Sequence, residues 1–175
     1  MYFARRDRRL GSAPIPRVRK GITHPQLGDL RFGKYIPDSL EGGLPYEGRT
    51  LLLTLLSVDG ERHQILDLAV KVAGSLSQID RAARRAIAAD LLDTYNDCWN
   101  GHDEQQADGT WVVVGNAPLS AEEFVAKMTL HSVSIDEGNN VTLTYDDGEL
   151  FLGHYVSVAS YQGADFSDAK GEISG

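Results

Sequence analysis

The last third of the sequence carries the pattern that most restricts how this chain folds. Residues 141–145 alternate apolar and polar side chains, residues 146–149 read Asp-Asp-Gly-Glu, and residues 150–158 are again mostly apolar. An alternation with a period of two is typical of a β-strand that buries one face. Two such strands joined by a turn that contains Gly form a β-hairpin. We therefore expect an antiparallel hairpin over 141–158 with one face in the core.

The middle of the chain changes from a strand pattern to a helix pattern. Residues 49–58 are almost continuously apolar, which is typical of a central strand covered on both faces and leaves room for a parallel neighbour. Apolar side chains then recur at helical spacing over 61–76 and again over 77–99, while Gly74 and Ser75 weaken the junction between them. The sequence therefore predicts two consecutive helices.

Shorter elements are predicted from local signals. Ser120 and Glu123 form a capping box, which predicts a helix over 120–128. Clusters of Gly, Pro, Asp and Asn predict a turn at 42–45 and a solvated loop at 100–108. Further strands are predicted at 29–35, 110–114 and 130–135.

Strands at both ends with helices between them favour the α+β class. We expect two layers, in which a mixed or antiparallel sheet has the helices packed on one of its faces. A chain of 175 residues is long enough to bury a substantial core, and we place one domain at 22–175. Residues 1–21 have no periodicity and contain two prolines, so we expect a disordered basic tail there.

The charge of the chain is divided unevenly. The net charge is −8, yet residues 1–20 contribute +6, which leaves −14 on the remainder. Nucleic acid binding depends on Lys and Arg side chains that displace counterions from phosphates, so the acidic body argues against nucleic acid as a partner. Because opposite charges steer association, a basic protein is the expected partner.

Cysteine content and hydropathy indicate the cellular compartment of the protein. Cys98 is the one cysteine, which excludes an intramolecular disulfide and a cysteine-based zinc site. The sequence has no apolar run of about 18 residues, the length that a membrane-spanning helix needs. The basic N-terminal residues are not followed by the apolar core of a signal peptide. We expect a cytoplasmic protein that does not associate with membranes.

Signals for catalysis are weak. The five histidines show no metal-ligand spacing and the glycines match no phosphate-binding loop, so we expect neither a metal nor a cofactor. Strand alternation places His154 on the buried face of the terminal hairpin, which favours a core histidine hydrogen-bonded to a neighbour. The alternative is a general base beside the turn carboxylate Asp146.

A group of acidic residues lies near the end of the second predicted helix. Asp93 and Asp97 are four residues apart on one helix face, and Trp99, Asp103 and Glu104 follow closely. Carboxylate pairs of this kind form a solvated face or bind a divalent cation, and an exposed aromatic ring suits recognition. We interpret these five residues as a surface that binds Lys and Arg side chains of a protein partner.

Three short motifs resemble a bacterial family of unknown function. They are His24-Pro25-x-Leu27-Gly28-x-Leu30, Tyr95-Asn96-x-x-Trp99 and Asp147-Gly148-x-Leu150-Phe151-x-Gly153-His154, and Glu172-Ile173-Ser174-Gly175 closes the chain. The resemblance extends over most of the chain from Ile22 onward. It implies a cytoplasmic α+β domain without assigned catalytic residues, similar in size and acidity to immunity proteins that neutralise bacterial toxins.

Three functions are open, in order of preference. The first is a non-enzymatic protein-binding module whose acidic surface occludes a basic partner, as an immunity protein occludes a toxin domain. The second is a small hydrolase with His154 as general base. The third is a structural protein that forms a homodimer through its sheet edges.

Overall fold

The computed structural model describes residues 21–36, 38–56 and 62–175. Apart from Gly21, the tail predicted over 1–21 lies outside the described residues. The described part contains ten strands, two α-helices and one π-helical turn. In chain order these are β1 (Ile22–His24), β2 (Gly28–Phe32), β3 (Leu40–Tyr46), β4 (Arg49–Leu55), α1 (Arg62–Thr94), the π-helical turn (Tyr95–Trp99), β5 (Gly101–Gln105), β6 (Trp111–Gly115), α2 (Ala121–Ala126), β7 (Thr129–Ile135), β8 (Val141–Asp146), β9 (Tyr155–Ser160) and β10 (Lys170–Ser174).

Eight of these strands form one mixed sheet in the order β1-β2-β3-β4-β7-β8-β9-β10. Neighbouring strands are antiparallel except β4 and β7, which run parallel with Leu52 opposite Ser132 and Leu55 opposite Ile135. A parallel pair needs a long crossover, and α1, β5, β6 and α2 provide it here. The predicted α+β class is confirmed, and the central strand does have a parallel neighbour.

Helix α1 packs an apolar stripe against the sheet. Its buried apolar side chains recur every three or four residues, and they are Ile65, Ala69, Val72, Leu76, Ile79, Ala83, Ile87 and Leu91. The helix lies against β7, β9 and β10. At Ser75 the backbone leaves helical geometry (φ −120°, ψ 15°), and the Ser75 hydroxyl donates a 2.6 Å hydrogen bond to the carbonyl of Lys71. The two predicted helices are therefore the two segments of α1, which meet at a kink at Ser75.

Helix α2 is short and begins at the predicted capping box. The Glu123 carboxylate accepts a 2.9 Å hydrogen bond from the Ser120 amide, and the Ser120 hydroxyl accepts one from the Glu123 amide at 3.3 Å. The bond from the Ser120 amide, and a second one that the Ser120 hydroxyl donates to the same carboxylate at 2.8 Å, hold the pKa of Glu123 below its ordinary value. Among the described residues, no helix combines the length and apolar character that crossing a membrane requires.

The turn predicted at 42–45 is wrong, because these residues lie inside β3. Gly42 is needed for close packing there, since a Cβ atom on it would lie 2.5 Å from the Leu30 side chain. The chain instead reverses at Glu47 and Gly48, which have φ values of +47° and +77° and connect β3 to β4 in a two-residue hairpin.

Two further expectations are corrected. The solvated loop predicted at 100–108 contains strand β5, which pairs with β6. The terminal hairpin is present as β8 and β9, but residues 147–154 form its connection rather than 146–149. Residues 150–153, predicted as strand, lie in this longer connection because the backbone amides of Phe151 and Gly153 bond to the Asp147 side chain instead of to a neighbouring strand.

Candidate functional site

The hairpin of β5 and β6, residues 101–115, forms an exposed arm within the crossover between α1 and α2. The strands pair from Gly101 opposite Gly115 to the tip of the arm. At the tip, the Asp108 carboxylate accepts hydrogen bonds from the hydroxyl (2.7 Å) and the amide (2.9 Å) of Thr110. These two bonds lower the pKa of Asp108 and give the turn a defined geometry.

Two asparagines hold the base of this arm. The side chain of the buried Asn100 donates from Nδ2 to the backbone carbonyls of Asn116 (3.4 Å) and Ala117 (2.9 Å). The backbone carbonyl of Asn100 accepts a hydrogen bond from the Asn116 amide at 2.9 Å. Asn96 forms a closed pair with Leu119, donating to its carbonyl at 3.1 Å and accepting from its amide at 2.9 Å. Each asparagine supplies both a donor and an acceptor, so the arm is fixed relative to the end of α1.

An aromatic cluster lies at the end of α1. The Tyr95 ring centroid is 5.4 Å from that of Phe124 and 5.8 Å from that of Phe151, and the Trp99 centroid is 5.4 Å from that of Phe151. Tyr95 and Trp99 are the first and last residues of the π-helical turn. The cluster therefore packs the end of α1 against the connection between β8 and β9.

The connection between β8 and β9 is organised by one buried carboxylate. The side chain of Asp147 accepts hydrogen bonds from the backbone amides of Glu149 (3.1 Å), Phe151 (2.6 Å) and Gly153 (3.3 Å). Gly148 and Gly153 have φ values of +59° and +84°, which favour glycine. This arrangement buries the Phe151 side chain completely and turns the next residue outward.

That next residue, Leu152, is 84 % exposed and has a φ of +57°. It faces the arm across a cavity of about 370 Å³. The residues that line this cavity are Cys98, Gly101, His102, Asp103, Val113 and Leu152. Val113 and Trp111 share one face of β6 by strand alternation and are 79 % and 64 % exposed. We call the side chains of Trp111, Val113 and Leu152 the arm surface.

The second and third of the motifs described above lie in the segments that support the arm surface, the π-helical turn and the connection between β8 and β9. Residues 24–170 match the model of a family described as an uncharacterized protein conserved in bacteria, DUF2262. The chain belongs to this DUF2262 family. No curated protein matches the chain, and no solved structure does. The expectation of a bacterial family of unassigned function is confirmed, whereas the likeness to immunity proteins stays a prediction.

The sequence-predicted acidic residues of this DUF2262 chain are only partly brought together. Asp103 lines the cavity beside Leu152, but Glu104 follows it on β5 and projects from the opposite face of the arm. Asp93 and Asp97 are exposed near the end of α1 and in the π-helical turn. Trp99 is half-buried, because its ring packs against the aromatic cluster rather than lying open.

His154 is exposed, so its predicted position in the core is wrong. Strand β9 begins only at Tyr155, and the alternation that placed His154 inward does not extend to it. Its ring centroid lies 6.3 Å from that of Trp99. Asp146 accepts a 3.1 Å hydrogen bond from the Gly148 amide, and within the described part of the chain no carboxylate is hydrogen-bonded to the His154 ring. The described residues also contain no group of three or more side chains placed to hold a metal ion.

A buried polar network centred on Asp80 was not predicted from the sequence. Its carboxylate accepts from the hydroxyls of Tyr145 (2.6 Å) and Tyr46 (2.9 Å) and from Arg84 Nε at 3.1 Å. Burial and the Asp80 charge raise the pKa of Tyr46 to about 12 and raise that of Tyr145 further. The Arg84 guanidinium also lies over the Tyr145 ring, 5.2 Å from its centroid.

This network joins α1 to both halves of the sheet. Tyr46 ends β3 and Tyr145 belongs to β8, and Asp80 lies between them on α1. No buried side-chain polar atom of the described residues lacks a hydrogen-bond partner, so the network is fully satisfied. Its completeness and enclosure indicate a structural role rather than a reacting centre.

Proposed function

We propose that this DUF2262 chain is a non-enzymatic protein-binding module that contacts a basic protein through the arm surface. The observation that carries the proposal is the conformation of Leu152, an apolar side chain that is 84 % exposed at a φ of +57°. A left-handed backbone costs a non-glycine residue about 1–2 kcal/mol, and this side chain gains no burial in return. Strained residues of this kind cluster at binding and catalytic sites.

The surroundings of Leu152 have the composition of a recognition surface. Trp111 and Val113 add exposed apolar area on the facing strand, and tryptophan is among the residues that dominate binding energy at interfaces. A two-stranded hairpin is marginal in water by itself, so a partner that covers the arm would stabilise it. The fixed base of the arm, held by Asn96 and Asn100, limits the conformational entropy that binding costs.

The carboxylates near the arm surface favour a basic partner. Asp103 borders the cavity between the arm and Leu152, and Asp97 and Glu104 are exposed nearby in sequence. A Lys or Arg side chain packs its aliphatic stem on apolar surface while its charged group reaches a carboxylate. Residues 21–175 carry −14 of charge, which accelerates encounter with a positively charged protein. A toxin domain held by an immunity protein is one partner of this description.

The proposal is tested by affinity capture from extracts of the native bacterium with three forms of the full chain. The first is the wild type, the second carries Leu152→Gly with Val113→Thr, and the third carries Tyr161→Ser as a control. Tyr161 is 74 % exposed, so the control removes a comparable exposed side chain outside the arm surface. We expect one basic protein bound by the wild type and the control, at least tenfold weaker with the arm variant, and released at high salt. Equal capture by all three forms contradicts the proposed surface.

A further inference from the structure

A groove between α1 and α2 is bordered by three arginines. Its cavity has a volume of about 310 Å³, at the low end of the range for ligand sites. The lining residues are Arg81, Arg84, Arg85, Ala88, Ala121, Glu122 and Val125. Ala88, Ala121 and Val125 make the floor apolar, so the groove combines an uncharged floor with a basic rim.

Arg84 is held rigidly at this groove. Its Nε donates to the buried Asp80 carboxylate at 3.1 Å, and its Nη1 donates to the backbone carbonyls of Val125 (2.7 Å) and Met128 (3.2 Å). The remaining nitrogen, Nη2, has no hydrogen-bond partner among the described residues. Because this guanidinium is already held in place, binding to its free N–H donors costs less conformational entropy than binding to a mobile arginine.

Arg81 and Arg85 supply two further positive charges at the rim of the groove. Both side chains are exposed and lie one helical turn apart, where like charges repel. Neither forms a salt bridge or a hydrogen bond with the part of the chain that the structure describes. Glu122 is the groove's own carboxylate and is also exposed, while Asp80 is committed to Arg84. In a body of charge −14, this groove is a local site of attraction for anions.

We propose that the groove binds an acidic peptide segment, in which a carboxylate pairs with Arg81 and Arg85 and an adjacent apolar side chain lies on the alanine and valine floor. The carboxylate suits the arginines because the planar guanidinium matches it with two parallel hydrogen bonds. The occupant is a peptide rather than an enclosed small molecule, because the groove is open to solvent. It is independent of the arm surface, which is apolar and borders the acidic side chain of Asp103.

The test titrates the full ¹⁵N-labelled chain with a capped pentapeptide of alternating glutamate and leucine, followed by amide chemical shifts. The same peptide with glutamine in place of glutamate is the probe control. We expect saturable shifts at residues 81–88 and 121–125 with the acidic peptide and much weaker ones with the neutral peptide. The double variant Arg81→Gln with Arg85→Gln is expected to bind at least tenfold more weakly.

A matched double variant, Lys34→Gln with Lys71→Gln, removes two exposed charges elsewhere and should bind as the wild type does. Leu152→Gly should also leave peptide binding unchanged, which separates this groove from the arm surface. Shifts at other residues, or undiminished binding by the arginine variant, would overturn the proposal. Shifts at the groove with decanoate but not with the acidic peptide would also overturn it, in favour of a small amphiphilic carboxylate.

Discussion

The Tyr145 hydroxyl donates a 2.6 Å hydrogen bond to a carboxylate oxygen of Asp80, which lies 65 positions earlier in the chain. The other oxygen of the same carboxylate accepts from Tyr46, 34 positions before Asp80. One buried side chain thus connects β3, α1 and β8. Because the charge is balanced by Arg84 and both oxygens are bonded, this carboxylate is tolerated in the core.

Replacement of Asp80 is expected to cost much of the stability of the fold. Asp80→Ala leaves Arg84 without its partner in a partly buried site and leaves two buried tyrosine hydroxyls unpaired. Removing one member of a buried ion pair costs about 3–5 kcal/mol. The measurement is urea-induced unfolding followed by circular dichroism. Asp67→Ala, at an exposed position of the same helix, is the control and should change stability by less than about 0.5 kcal/mol.

The same network predicts a loss of stability at alkaline pH. Tyr46 has its pKa raised from 10.0 to about 12 by burial and by Asp80, so the folded state holds this proton more tightly than the unfolded state does. The contribution of the protonated Tyr46 to the free energy of unfolding is complete below pH 10 and is lost as the pH rises through 12. Unfolding free energies measured between pH 9 and 12 should therefore fall less steeply for Tyr46→Phe than for the wild type. Parallel profiles for the two proteins would contradict this assignment.

Two glycines of the Asp147 connection should differ in their tolerance of alanine. Gly148 and Gly153 both have positive φ, so each alanine variant bears left-handed strain of about 1–2 kcal/mol. At Gly148 a Cβ atom would additionally lie 2.2 Å from the Lys127 carbonyl oxygen, whereas at Gly153 nothing lies within 4 Å. We expect Gly148→Ala to lose roughly 2 kcal/mol more than Gly153→Ala because of this overlap. Thermal unfolding of the two variants measures the difference, and equal melting temperatures would sink the packing argument.

Substitutions at the adjacent positions 151 and 152 should have different effects: one should lower stability and the other should weaken partner binding. Phe151 is completely buried against Tyr95 and Trp99, so Phe151→Ala should cost about 3–5 kcal/mol. Leu152→Gly removes no buried contact, and relief of its positive φ offsets the added chain entropy of glycine, so stability should change by less than about 1 kcal/mol. Partner capture should nevertheless weaken for Leu152→Gly. A strongly destabilised Leu152→Gly would show that this residue supports the fold instead.

Local periodicity was sufficient to predict those elements whose residues are buried on a single regular face. The apolar stripe of α1, the capping box of α2, and strands β7 and β8 follow from spacings of two to four residues. Strand β4 followed from a continuous apolar run, but the expectation that both of its faces are covered is wrong, because Leu52 is exposed. The break between the two predicted helices was also visible, and it is the kink at Ser75 that divides α1 into two segments. These features depend on neighbours close in sequence, and such neighbours are what a sequence pattern records.

Signals from glycine were ambiguous because the same residue serves turns and close packing. The pair Gly42-Gly43 predicted a turn, but Gly42 makes room for Leu30 of the neighbouring strand β2. The alternation beyond Gly148 predicted a continuing strand, but the Asp147 carboxylate takes the backbone amides that a strand would share. With these amides bonded to Asp147, residues 152 and 154 are exposed. The expected core position of His154 was therefore wrong, and the arm surface was not predicted.

The sequence by itself determined the α+β class, the acidic body, and the membership of the bacterial family whose model matches residues 24–170. Only the tertiary structure decided which distant residues meet: Tyr46 and Tyr145 at Asp80, and Val113 at the cavity beside Leu152. The reason is physical, because hydrogen bonding of a buried charge and packing of rings depend on partners brought together by the sheet order and the crossover. Neither the sheet order nor the crossover leaves a periodic trace in the residues themselves.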